Sequence, residues 1–142
     1  MSLWAAGCGS SAGPAPAGSA TNVALDMKAG GNAYDVQRCG VSHHYTTYRV
    51  GQRIEYGGTV TPAPTGRWEV KLKVERCTGQ GFRTVQQAHT AGQAHGYASG
   101  VVRGLPSGHY FGRLYYYGAA KSSESDKEYF LLRPSSASTG SR

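Results

Sequence analysis

The chain predicts an all-β protein, an antiparallel β-sandwich of seven to nine strands, and three observations carry that expectation. The stretch from Arg67 to Glu75 alternates without a break, with Trp68, Val70, Leu72 and Val74 on one side and Glu69, Lys71, Lys73 and Glu75 on the other. Side chains of a strand point to opposite faces at a period of two, so this is a strand with one buried and one wetted face. A sheet wetted on one side is antiparallel and belongs to a sandwich or barrel. Composition agrees: 21 Gly and 10 Tyr in 142 residues, with no long run of strong helix formers, suit a turn-rich β domain. Finally, short apolar-alternating segments recur between Gly- and Pro-containing turns along most of the chain.

In order, Asn22 to Lys28 alternates Val23, Leu25 and Met27 against Ala24, Asp26 and Lys28, then turns at Ala29-Gly30-Gly31-Asn32. Tyr34 to Cys39 is a short second segment, and His43 to Val50, rich in Tyr and Thr, is either a strand or an ordered loop. Arg53 to Thr61 carries Ile54, Tyr56 and Val60, and Pro62 to Gly66 turns the chain into the alternating strand. Thr78-Gly79-Gln80-Gly81 closes a hairpin onto Phe82 to His89. Gly96 to Val102 is a further strand; Leu105 to Tyr110 is a corner leading into Phe111 to Tyr117. Gly118 to Asp126 reads as a polar loop and Lys127 to Arg133 as the last strand. Residues 1–21 and 134–142 are dominated by Gly, Ser, Ala, Thr and Pro and read as flexible segments around a domain spanning 22–133.

Near the N-terminus, Ala5-Ala6-Gly7-Cys8 resembles the end of a bacterial lipoprotein signal, which makes Cys8 a candidate lipid acceptor. The charged and apolar parts of such a signal do not precede it, so either that start is missing or Cys8 is incidental. Cys39 and Cys77 stand at strand ends and in no zinc-ligand spacing. Paired, they would close a loop of about 38 residues and add roughly 3–4 kcal/mol on the chain-entropy argument; two free thiols are the alternative. A disulfide implies an oxidising compartment, and the expected location is extracellular, secreted or anchored at the cell surface.

The order Val50-Gly51-Gln52, Gly58-Thr59-Val60-Thr61-Pro62, Trp68-Glu69-Val70-Lys71-Leu72, Gly81-Phe82-Arg83-Thr84-Val85 and Leu105-Pro106-Ser107-Gly108-His109-Tyr110 resembles bacterial immunoglobulin-like domains of secreted and surface proteins, of the high-GC Gram-positive type. The resemblance covers about residues 22–133 and implies an immunoglobulin-like sandwich. It makes Tyr110 the corner tyrosine, its hydroxyl bonded to backbone just upstream. The core disulfide usual in the family is not matched, because the position two beyond Tyr110 is Gly112. Family members act as spacers, adhesion modules and carbohydrate-contacting modules, and fold alone does not choose among these.

The chemistry-bearing residues are sparse. No GxSxG elbow occurs and only eight acidic residues are present, so no enzyme, cofactor or metal is expected. Adjacent strand residues His43 and His44 point to opposite faces and do not form one metal site. The formal charge of +7 is spread singly, and no nucleic-acid-binding signature accompanies it. Aromatics are the better material. In Phe111 to Tyr117, an inward Tyr110, Leu114 and Tyr116 leave Phe111, Arg113, Tyr115 and Tyr117 facing outward. Tyr and Arg anchor protein interfaces and stack on sugars, unless that face is covered by the N-terminal segment or cross-strand neighbours. The expected function is a non-enzymatic exported adaptor or structural subunit binding another protein. The alternative is a glycan- or cell-wall-binding module on the same Tyr face. Leu3 and Trp4 are the contact candidates of the N-terminal segment, and a lipid on Cys8 would be the tie to a membrane.

Overall fold

Alternation resolves into strands along the whole domain. A computed structural model of the chain describes residues 21–39, 41–118 and 122–135. The sequence readings for Leu3, Trp4 and Cys8, and for all but two residues of the C-terminal tail, lie outside the described residues. The strands are β1 (Asn22–Met27), β2 (Gly31–Arg38), β3 (Val41–Arg49), β4 (Ile54–Thr61), β5 (Glu69–Thr78), β6 (Gly81–Ala91), β7 (Tyr97–Val102), β8 (Gly108–Tyr117), β9 (Ser122–Glu124) and β10 (Glu128–Arg133). The segment read as strand or loop from His43 is thus strand. The loop expected from Gly118 to Asp126 contains the three-residue β9, which pairs with the end of β8.

Two sheets form. The larger has the order β2-β3-β10-β8-β5-β6, with β9 added beside β8, and the smaller is β1-β4-β7. All pairings are antiparallel except β3 with β10, where Thr46 to Arg49 run parallel to Phe130 to Arg133. The expectation of a purely antiparallel sandwich is amended there.

The core lies between the sheets. From the small sheet come Leu25, Ile54, Tyr56, Val60, Ala98 and Val102; from the large one come Tyr48, Val70, Leu72, Val74, Tyr110, Leu114, Phe130 and Leu132. Burying each large aliphatic or aromatic side chain contributes roughly 1.5–3 kcal/mol. At Gly58 a Cβ would sit 2.3 Å from Leu114 Cδ2, so the sheets approach too closely there for any side chain. Several polar groups of the inter-sheet core are hydrogen-bonded. Tyr56 and Thr90 share a 2.6 Å hydrogen bond across the layers. The buried Ser125 hydroxyl accepts from the Leu114 amide at 2.9 Å and donates to the Asp126 carbonyl. The Tyr110 hydroxyl donates to the Pro106 carbonyl four residues upstream, with its ring fully buried. Gln86 closes one side of the sandwich, its carbonyl accepting from the Arg103 amide at 2.9 Å.

The small sheet has half as many strands as the main path of the large one, and the outer face of the large sheet carries its own apolar cluster. Tyr45, Phe111, Tyr129 and Leu131 are buried there, with Phe82 packed against them. The β2–β3 hairpin supplies the cover. Only the second half of β3 pairs with β10, and the first half is paired with β2 alone. Thr47 and Cys77 fall on the same lateral row, through Leu131 and His109, yet Cys39 at the hairpin tip is bonded to Cys77 with a Cα–Cα separation of 5.9 Å. The hairpin therefore bends back across the outer face, and the disulfide fastens its tip to the end of β5. His43 stacks on Tyr129 with ring centroids 3.9 Å apart, and Tyr45 meets His109 and Tyr129 edge-on.

Burial raises the Glu128 carboxyl above its ordinary 4.5, and Asp26 and Asp126 push it the same way. Tyr48 donates to the Lys28 carbonyl at 2.9 Å, and burial, then Asp26 and Glu128, push its phenol up to about 12. A folded carboxyl that holds its proton more tightly than the unfolded chain makes stability fall as pH rises through that interval. Glu128→Gln is therefore expected to raise Tm at neutral pH and to flatten the decline in Tm above pH 4.5; an unchanged pH profile would contradict the assignment. Cys77→Ser is expected to lower unfolding free energy by roughly 3–4 kcal/mol in urea titrations. Amide exchange should quicken most in β2 and the first half of β3.

Candidate functional site

The outer face of β8, β5 and β6 is the part of the large sheet that the hairpin leaves open, and most of the outward residues expected from sequence sit on or beside it. They divide into three kinds. Phe111 points outward as its position in the alternation requires, but it is only 4% exposed. Phe82 lies edge-on at 4.9 Å and Tyr129 at 5.5 Å, with the Lys127 ammonium 4.9 Å above its ring. Cover by the hairpin removes Phe111 from any binding surface.

Arg113 is tied down by its neighbours. Its Nε donates to the Ser125 carbonyl at 2.7 Å and its Nη2 lies 2.9 Å from Glu124. Glu124 ends β9 and Ser125 opens the β9–β10 connection, so the guanidinium fastens that end of β9 and its turn onto β8.

Tyr117 is 55% exposed and Tyr115 is half-buried beside it. Their rings are parallel to within 10° with centroids 6.4 Å apart, as side chains two apart on a regular strand allow. The register of β5 against β8 sets Lys71 opposite Tyr115 and Lys73 opposite Arg113. The Lys71 ammonium stands 5.4 Å from the Tyr117 ring centre and 5.8 Å from that of Tyr115, and Lys73 stands 5.9 Å from Tyr115. Cations at such distances are drawn to the ring quadrupole. Lys73 also approaches Glu75 at 3.9 Å, and at the far end Glu69 meets His89 at 3.0 Å. The surface is a flat sheet of two tyrosines among lysines, rimmed by acidic groups on both sides.

Alternation places Lys71 and Lys73 on the wetted face of their strand; strand register makes them the cationic half of the tyrosine surface. The signal that was available, alternation in both segments, fixes each residue's face but not which strands are neighbours.

His43 and His44 do point apart, one stacked on Tyr129 and the other 2.9 Å from Asp35. Among the described residues no three His, Cys, Asp or Glu side chains gather as a metal site would need. Comparison of the chain with models of known protein families finds no match, and comparison with curated proteins finds none either.

The division of roles is measurable. Arg113→Ala should cost about 1.5 kcal/mol of stability, the usual value of a hydrogen bond to a charged group. Tyr117→Ala should stay within about 0.5 kcal/mol of the parent, as exposed positions do; urea denaturation of both variants checks the contrast.

Proposed function

We propose that this chain is a non-enzymatic, exported, immunoglobulin-like interaction module that binds another protein of a secreted or cell-surface assembly through Tyr115, Tyr117, Lys71 and Lys73. The observation that carries the reading is the pair of parallel tyrosines on the sheet's outer face, Tyr117 exposed and Tyr115 half-buried beside it, when the neighbouring aromatics of the same face, Phe111 and Tyr129, are buried. Tyrosine gives large contact area at low conformational-entropy cost and is enriched among interface anchors. Flanking lysines and acids supply the polar rim that steers and registers a protein partner. The immunoglobulin-like part of the proposal is supported by the two-sheet order, by β10 pairing with β8 and β3, and by the Tyr110–Pro106 bond at the β7–β8 corner. Export is supported by the Cys39–Cys77 disulfide. Among the described residues no helix is long and apolar enough to cross a membrane.

The test places a photocrosslinking residue at Tyr117 and, as a control, at Val101, which is exposed on β7 of the opposite sheet. Recovered from the native host, the Tyr117 variant should carry one specific adduct that the Val101 variant lacks. Tyr115→Ala should weaken the complex tenfold or more, the range of an interface anchor. Equal labelling at both positions would end the proposal. Retention on host cell-wall polysaccharide, lost in Tyr115→Ala, would assign the same face to glycan instead.

A further inference from the structure

At the start of β5 the sheet ends in a depression of about 610 Å³ lined by Gly66, Arg67, Trp68, Glu69, Ala91 and Gly92. That size falls in the range of small-ligand sites, about 300–1,000 Å³. Three of its walls are Gly or Ala, and the remaining three residues carry an indole, a cation and a carboxylate. The indole is held in place. A Cβ on Gly92 would lie 1.9 Å from Trp68 Cε2, so the glycine backbone rests against the six-membered ring, and the Gly92 amide donates to the Trp68 carbonyl at 2.8 Å. Tyr116 meets the indole edge-on at 6.1 Å. The ring is nonetheless only partly buried.

The polar groups are left with capacity. Arg67 is exposed and makes no ion pair among the described residues. Glu69 uses Oε2 on His89 at 3.0 Å, which leaves Oε1. The Trp68 Nε1–H has no hydrogen-bond partner among the described residues.

We propose that this depression binds a neutral saccharide, an uncharged pyranose with adjacent hydroxyls. A carboxylate and a guanidinium lining one depression favour neither a free anion nor a free cation. One accepts and the other donates, as vicinal hydroxyls require. A preorganised indole offers apolar surface to the C–H face of a sugar and an N–H donor at its rim. The depression shares Glu69 with the rim of the Tyr115–Tyr117 surface but none of its tyrosines or lysines, so loss of binding in Tyr117→Ala would separate the two readings.

The test uses the intact chain carrying Trp4→Phe, which leaves Trp68 as the single tryptophan of the two in the sequence. Its emission is titrated with millimolar soluble tetrasaccharides of glucose, mannose and N-acetylglucosamine. At least one should give a saturable shift that persists in about 0.5 M salt, where exposed charge attraction is screened. Arg67→Ala and Glu69→Gln, both exposed positions, should each weaken it tenfold or more with near-ultraviolet circular dichroism unchanged, and Tyr117→Ala should leave it intact. No saturable shift with any of the three sugars would overturn the proposal. So would undiminished binding in both variants, or preference for an anionic tetrasaccharide that salt abolishes.

Discussion

One covalent bond, Cys39–Cys77, decides what the outer face of the large sheet is. The hairpin tip is drawn across two strands, β10 and β8, to the end of β5, and the aromatic cluster beneath it becomes interior. Tyr45, Phe111, Tyr129 and Leu131 then form a second core, stabilised by burial of aromatic area that water would otherwise wet. The strands beyond the hairpin's reach keep their polar outer face. Without the bond, the cost of holding an eight-residue strand and its turn over the sheet would fall on ring contacts alone. Loop closure already made in the unfolded chain offsets that cost.

This division also explains why the outward aromatics of β8 do not behave alike. Phe111, Tyr115 and Tyr117 lie on one side of one strand, and period-two reasoning treats them as equivalent. The hairpin covers the first and stops short of the others. Arg113, between them, turns its charge to holding the β9–β10 connection. The open surface begins where the cover ends, and it is bounded by charge pairs that resist further apolar contact.

Much of the architecture was legible locally. Trp68 to Glu75 alternates because its residues face two different solvents, and Val70, Leu72 and Val74 are indeed buried. The turns at Gly30–Gly31 and Thr78–Gly81 could be read from residue type, and the Cys39–Cys77 pairing from position at strand ends. What escaped was set by distant parts of the chain. Thr46 to Arg49 find a parallel partner in β10, more than 80 residues on in sequence, and no local pattern announces it. The cover over Phe111 and the placing of Lys71 beside Tyr115 are likewise consequences of strand order. β9 is too short to leave a periodic signature and exists because β8 offers an edge to pair with.

The parallel pairing of β3 with β10 has a mechanical meaning. Tension applied at the C-terminal end of β10 draws that strand along its own axis. Its neighbours are β8 and β3, the latter anchored at its N-terminal side through Cys39 to the body of the domain. The hydrogen bonds from Phe130 to Arg133 are then loaded together, in shear, and do not open one after another as at the free end of a hairpin. A module fastened in series with other parts of an assembly would resist extension at that strand, and the disulfide would keep the chain between Cys39 and Cys77 from lengthening at all.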